Sequence, residues 1–341
     1  MKSLLTLWEL SLALCAVAAA ALLVLVMARM VSLRAARRQE AIRSKLLPQL
    51  LAGDGEVGRL KGRELRMAAA LVSELSELTR GEDRDVLLAR ASDMGVPDLL
   101  LARLQSRSAQ TRLSSVEALA LFDQCTAETV TALDDDNPDV RLAAALALAH
   151  REEGPSAREL IEKLQMGSVE NSLLLASLMG DLVQRNPGEV AALLFDKDVP
   201  VEAKVAATDA LADGGGEYAP LLAYMAKESV GEPELQPRIF RALGRNGHPA
   251  GLDAIRQGLD SENWTVRAAA AEAAGKLAAT EMATRIAALL ADEHWWVRYR
   301  AGEALLRFGP RGIVELREAS TNADDTMRQT AISMMAEGRA A

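Results

Sequence analysis

The sequence predicts an all-α protein, a right-handed α-solenoid of about eight helical-hairpin repeats preceded by one transmembrane helix. Three observations predict it. A spacing pattern of small and apolar residues returns eight times along the chain. Half of the 341 residues are apolar but only 3% are aromatic, so alanine and leucine dominate and β-branched runs are scarce. Nineteen consecutive residues, Leu10–Ala28, carry no charge.

The repeat is clearest around Arg298, which is followed three, six and seven places later by Ala301, Ala304 and Leu305. Arg267, Arg141, Arg112 and Lys204 head the same spacing, and weaker copies begin at Ser172, Gln236 and Arg328. The zero positions 112, 141, 172, 204, 236, 267, 298 and 328 are 29 to 32 residues apart. Such a period identifies an array of supersecondary units, each contacting only its neighbours. One extended body is therefore expected rather than two or three globular domains. Small residues at three and six let the first helix of each unit approach its neighbours closely, and the residue at seven fills the space between.

Taken in order, residues 1–9 form a short N-terminal segment and 10–28 the expected transmembrane helix, long enough as a helix to cross about 30 Å of hydrocarbon. Its apolar core continues through Leu22–Val26 past the small residues Ala18–Ala20 that a cleaved signal would use. Arg29, Arg34, Arg37 and Arg38 come next, at the expected membrane surface, while only Lys2 precedes the span. The positive-inside tendency then keeps the C-terminal body in the cytoplasm, and the expected location is a bacterial inner membrane crossed once. Residues 29–65 read as a basic juxtamembrane linker, helical until near Pro48 and loosened by Gly53, Gly55, Gly58 and Gly62.

The solenoid is assigned to 66–341. Arg66–Leu78 reads as an amphipathic helix, and Arg84–Ala91 with Val96–Leu104 as a degenerate capping pair. Between the marked first helices lie shorter second helices: Glu128–Leu133, Ser156–Leu164, Glu189–Phe195, Pro220–Lys227, Leu252–Leu259, Met282–Leu290 and Ile313–Glu318. Turn signals such as Gly154-Pro155, Asn186-Pro187-Gly188 and Gly309-Pro310 precede them.

Asn137-Pro138-Asp139-Val140-Arg141 before an alanine-rich helix, and the later segments WTVRAAAAEAAGKL and WWVRYRAGEALLRFG, resemble HEAT-like repeats of the short type also seen in phycobilin lyase subunits. The resemblance covers about residues 105–341. It implies a protein-binding solenoid in which an acidic residue before the helix pairs with an arginine of an adjacent unit. Asp134, Asp260 and Asp292, with Arg141, Arg267 and Arg298, are the residues onto which that structural ladder carries over.

Charge and chemistry narrow the function. Residues 29–66 hold ten Lys/Arg against four Asp/Glu, and 1–28 balance, so a total of −9 leaves −15 on 67–341. An acidic body argues against a nucleic-acid groove along the repeats. His150, His248 and His294 lie in different units, and with only Cys15 and Cys125 present neither metal-ligand spacing nor a disulfide framework is found. Asp134-Asp135-Asp136 lacks the alternating ligands of a calcium loop, and Gly214-Gly215-Gly216 lacks the lysine of a phosphate loop. With no nucleophile elbow or triad either, no enzyme, cofactor, metal or catalytic residue is expected.

The functional lead is aromatic. Trp264, Trp295, Trp296 and Tyr299 lie within 36 residues, beside Arg300, and exposed Trp, Tyr and Arg are what binding hot spots favour. Tryptophan just before a helix also serves as packing between units, but Trp295 and Trp296 point in different directions on a helix turn, so at least one of these two is expected to be partly exposed. A second candidate surface is the final unit at Arg328, where Ile332, Met334 and Met335 occupy a first helix. The expected function is a membrane-anchored scaffold that docks a membrane-associated protein partner. By analogy of build that partner is an envelope or exopolysaccharide glycosyltransferase. A bilin lyase-like enzyme and an anionic-lipid surface sensor acting through 29–66 are the alternatives.

Overall fold

A computed structural model describes residues 2–51, 57–152, 154–164 and 172–340; within these ranges the described side chains begin at Leu22 and omit residues 35, 172, 339 and 340. The described residues form helices and turns only, and they fall into two compact units, 1–125 and 126–341.

The first unit holds α1 (Lys2–Leu51), α2 (Gly62–Ser76), α3 (Glu82–Asp93), α4 (Val96–Leu104) and α5 (Ala109–Leu119). Its core gathers Leu46 and Leu50 of α1 with Leu71, Leu87, Met94 and Leu119, all fully buried. The middle of the segment expected as a linker therefore supplies core side chains. Leucines at 46 and 50 sit one turn apart on a single face, which is why α1 continues through Pro48 instead of ending there. Arg43 and Lys45, on the exposed flank, pair with Glu74 at 2.7 Å and Glu64 at 3.0 Å of α2.

No helix among the described residues is long and apolar enough to cross a membrane. The expected single-pass placement in an inner membrane with a cytoplasmic body is corrected on that finding. Residues 10–21 of the expected span lie outside the described side chains. Beyond residue 21 the helix has seven apolar residues, Leu22–Ala28, before the exposed Arg29, Arg34, Arg37 and Arg38.

The second unit is an array of helical hairpins. It comprises α6 (Thr126–Thr131), α7 (Pro138–Ala149), α8 (Ala157–Leu164), α9 (Ser172–Arg185), α10 (Pro187–Leu193), α11 (Val201–Asp213), α12 (Ala219–Glu228), α13 (Leu235–Asn246), α14 (Leu252–Gly258), α15 (Trp264–Lys276), α16 (Ala283–Ala288), α17 (Trp295–Arg307), α18 (Pro310–Ala319) and α19 (Asp325–Ala340). The odd-numbered helices from α7 to α19 are seven of the eight predicted first helices, α5 of the first unit being the other, and from α7 on each packs against the next.

The small-residue spacing is what brings them together. Ala270, Ala273 and Ala274 of α15 and Ala301, Ala304 and Leu305 of α17 are at most 1% exposed. Glycine eight places after the zero position takes the approach to its limit. A Cβ on Gly244 would stand 2.7 Å from the Cα of Ala273, and one on Gly275 would stand 2.8 Å from the Cα of Ala304. Only hydrogen fits at these two points.

Candidate functional site

The site elements are positioned by a turn that recurs before five of the first helices, and its zero-position arginine closes it. Nη1 of Arg112, Arg141, Arg267, Arg298 and Arg328 donates to the carbonyl six residues earlier, that of Ser106, Asp135, Ser261, Asp292 and Asn322, at 2.7–2.9 Å. In the last four the same nitrogen reaches the carbonyl five residues earlier as well. These carbonyls come just after the preceding helix and have no partner of their own within it. The side chain at minus six accepts the N–H two residues on in all five turns, for example Asp292 Oδ1 from His294 at 2.9 Å. At minus four, Ser108, Asn137, Asn263 and Asp324 cap the next helix by accepting from its first N–H groups.

Of the residues expected to form an acid–arginine ladder, the structure joins one pair across units. Nε and Nη2 of Arg267 donate to Asp292 at 2.7 and 3.0 Å, with the two side chains 13% and 7% exposed. Hydrogen bonding to Asp292 raises the Arg267 guanidinium above its ordinary value. Burial pushes the Asp292 carboxyl up, but the bonds from Arg267 and the His294 N–H outweigh it and hold the group below its ordinary range. Arg141 donates instead to the Leu164 carbonyl at 3.4 Å. Asp134 pairs with Lys163, and Asp260 with Arg285. Arg298 bonds only to its own turn among the described residues.

The aromatic residues assemble at the start of α17. Trp295 and Trp296 are 55% and 50% exposed. Trp295 stacks on Tyr299, one turn along, with centroids 5.2 Å apart and planes at 16°. Trp296 meets both rings edge-on, at 4.7 and 5.9 Å. Centroids this close leave no cage between the rings, so they form one slab with an apolar outer face. The Arg300 guanidinium lies 5.9 Å from the Trp296 centroid and is fixed by Glu303 at 2.7 Å and Glu272 at 3.7 Å. Burial raises the Glu272 carboxyl, but Lys276, Arg300 and Arg241 together draw it below its ordinary value, so it remains an anion beneath Arg300. Trp264 is placed otherwise. It stacks on His294 at 5.1 Å and 7°, across the boundary between consecutive units, and acts as a spacer rather than as part of the slab.

The other candidates resolve locally. His150 lies 3.3 Å from Asp181, and His248 Nδ1 accepts the Ala250 N–H at 3.2 Å. No group of three or more His, Cys, Asp or Glu is placed to hold a metal ion among the described residues. Asp135 of the aspartate run is the minus-six residue of the turn closed by Arg141. Gly214 and Gly215 form the turn between α11 and α12, and Gly216 opens the short 3-10 turn before α12. In α19, Met334 is buried against Gly302 while Ile332 is 51% exposed. Arg34 and Arg38 line an open cleft with Arg63 and Arg66 of α2.

Sequence spacing missed the turn itself. Its signal, Ser or Asx at minus six and a capping residue at minus four, is readable once the arginine is known to reach backwards.

Comparison with known proteins is consistent with the helical-repeat fold. A family model described as HEAT repeats matches residues 218–305, from the turn before α12 into α17. The karyopherin Kap121p bound to the extreme C-terminus of the protein phosphatase Cdc14p is similar at 15% identity and a TM-score of 0.46, over 86% of this chain and 39% of that one. Kap121p bound to RanGTP gives 16% and 0.47, over 81% and 37%. An engineered protein gives 18% and 0.37, over 88% and 95%. The chain thus spans about two fifths of the karyopherin's length, and likenesses at these scores carry no argument about activity or partners. No curated protein matches the sequence. The phycobilin-lyase type of repeat gains no support from these matches.

Proposed function

We propose that the chain is a non-enzymatic scaffold that docks a protein partner on the aromatic slab of α17. The observation that supports this most is the exposure of two adjacent indoles, 55% and 50%, in a chain whose aromatic content is 3%. A buried Trp, Tyr or Phe brings roughly 150–250 Å² of surface to an interface, and tryptophan with arginine dominates binding energetics where it is desolvated. The slab is rigid before any partner arrives. Tyr299 backs Trp295, Glu272 and Glu303 hold Arg300, and the helix beneath is locked by Ala301 and Ala304. Little side-chain entropy then remains to be lost on binding. A glycosyltransferase partner is no part of this reading, because that analogy depended on the membrane anchor.

The test is affinity purification of the tagged full-length chain beside a Trp295→Ala/Trp296→Ala variant with an unchanged unfolding midpoint. Hot-spot removal at about 2 kcal/mol or more weakens Kd at least about 30-fold. A stoichiometric protein partner recovered with the wild type and lost with the variant is expected. Retention of that partner by the variant would place the docking surface elsewhere.

A further inference from the structure

The turn that precedes α13 lacks every part of the device found at the five arginine-headed junctions. Its zero position is Gln236, its minus-six residue is Val230 and its minus-four residue is Glu232. With glutamine at the zero position, the turn has no arginine of its own to take the carbonyls of Val230 and Gly231. Gln236 instead donates from Nε2 to the Ala226 carbonyl at 2.9 Å, back on α12. The junction also leaves the hydroxyl of Ser229, 1% exposed, without a hydrogen-bond partner among the described residues.

A cavity of about 470 Å³ stands at this point. It is lined on one side by Val230, Gly231 and Gln236, and on the other by Ser261, Glu262 and Asn263 of the next turn. Its place in the repeat is defined by Arg267. That guanidinium runs from the carbonyls at its own minus six and minus five, Ser261 and Glu262, to the minus-six residue of the following turn, Asp292. One unit earlier, the same path runs from Val230 and Gly231 to Ser261. The cavity occupies the path that a ladder arginine would fill.

We propose that this cavity is a binding site for an arginine side chain presented by a partner polypeptide, which completes in trans the turn that Gln236 leaves open. The acceptors follow from the register: the carbonyls of Val230 and Gly231, the Ser261 hydroxyl, and Glu262, the anion of the described lining. Val230, Pro233 and Val266 offer apolar surface to the methylene stem. A planar guanidinium satisfies several acceptors at once, which an ammonium does not. Lys227, the cation of the described lining, is exposed and sets a repulsive rim against a second positive charge. The volume lies within the roughly 300–1,000 Å³ range of small-ligand pockets. This site is independent of the aromatic slab, and either can fail without the other.

The test uses the full-length chain with methyl-labelled valine and alanine, titrated with acetyl-Gly-Arg-Gly-amide and with the same peptide carrying norleucine or lysine. The Val230 and Val266 methyl resonances are expected to shift with the arginine peptide, at an affinity at least tenfold above either control. Gln236→Arg fills the cavity from within, so it is expected to abolish those shifts and raise the unfolding midpoint. Glu262→Lys, at an exposed position that leaves the fold intact, is expected to weaken binding at least tenfold. Equal responses to the arginine and norleucine peptides in the wild type would overturn the proposal, as would undiminished binding by a folded Gln236→Arg chain.

Discussion

Replacing Arg267 by alanine tests whether adjacent hairpins are locked by a guanidinium that spans two turns. Two charge-assisted bonds reach Asp292 at 2.7 and 3.0 Å, and two more reach the carbonyls of Ser261 and Glu262 at 2.9 and 3.0 Å. The pair is nearly buried, at 13% and 7% exposure. Removing one partner of a buried, hydrogen-bonded pair costs about 3–5 kcal/mol, because the other charge is left unpaired. Arg267→Ala is expected to cost that much. Arg298 supplies the control. It makes the same two carbonyl bonds, but 25 residues on, where Arg267 finds Asp292, stands Ala323. Arg298→Ala is therefore expected to cost about 1–2 kcal/mol. Urea unfolding followed by tryptophan fluorescence reads both, since Trp264, Trp295 and Trp296 lie in these units. In a double-mutant cycle, Arg267→Ala with Asp292→Ala should show about 1.5–3 kcal/mol of coupling. Coupling below about 0.5 kcal/mol, the scatter of independent sites, or equal costs for the two arginines, would refute the inter-unit lock.

The same pair fixes an acid dependence. A carboxyl held below its unfolded value of 3.8 contributes stability that is present above that pH and is lost as pH falls through the folded value. Below about pH 4 the wild-type midpoint should thus fall more steeply than that of Arg267→Ala, and parallel curves would remove Asp292 as the cause. Gly275→Ala gains about 1 kcal/mol of helix propensity but forces a methyl to 2.8 Å from the Ala304 Cα. Overpacking of about 1–3 kcal/mol should leave it destabilised, whereas Gly180→Ala, with nothing within 4 Å, should be stabilised in thermal denaturation. Asn137 accepts from the N–H groups of Asp139 and Val140 at 2.9 and 3.3 Å, so Asn137→Ala should cost about 1 kcal/mol, and Asn137→Asp nearly nothing.

The hairpin array was legible because its signal is local: alanines at three and six and an apolar residue at seven lie on one face of one helix. The ladder was legible only in part, because its register depends on turn geometry. Asp292 stands six residues before its arginine, where its carboxylate faces back to Arg267. Asp134 and Asp260 stand seven before theirs and face Lys163 and Arg285 instead. A one-residue offset, invisible to spacing counted between helices, decides the partner. The forward position of Arg141, residue 166, lies outside the described residues. The aromatic cluster was readable as composition, but its division was not. Trp264 and Trp295 both stand three before an arginine, yet one is covered by His294 and the other is open. The apolar stretch 10–28 was legible as hydropathy, but among the described residues no helix is long and apolar enough to cross a membrane.

Docking through the α17 slab is tested most directly by photocrosslinking in the source cells. Benzoylphenylalanine is placed at Trp296 in one full-length chain and at Glu281, exposed on the preceding repeat, in another. Docking at the slab predicts one discrete protein adduct from position 296 and none from 281. No adduct at 296, or the same adducts from both positions, would contradict it.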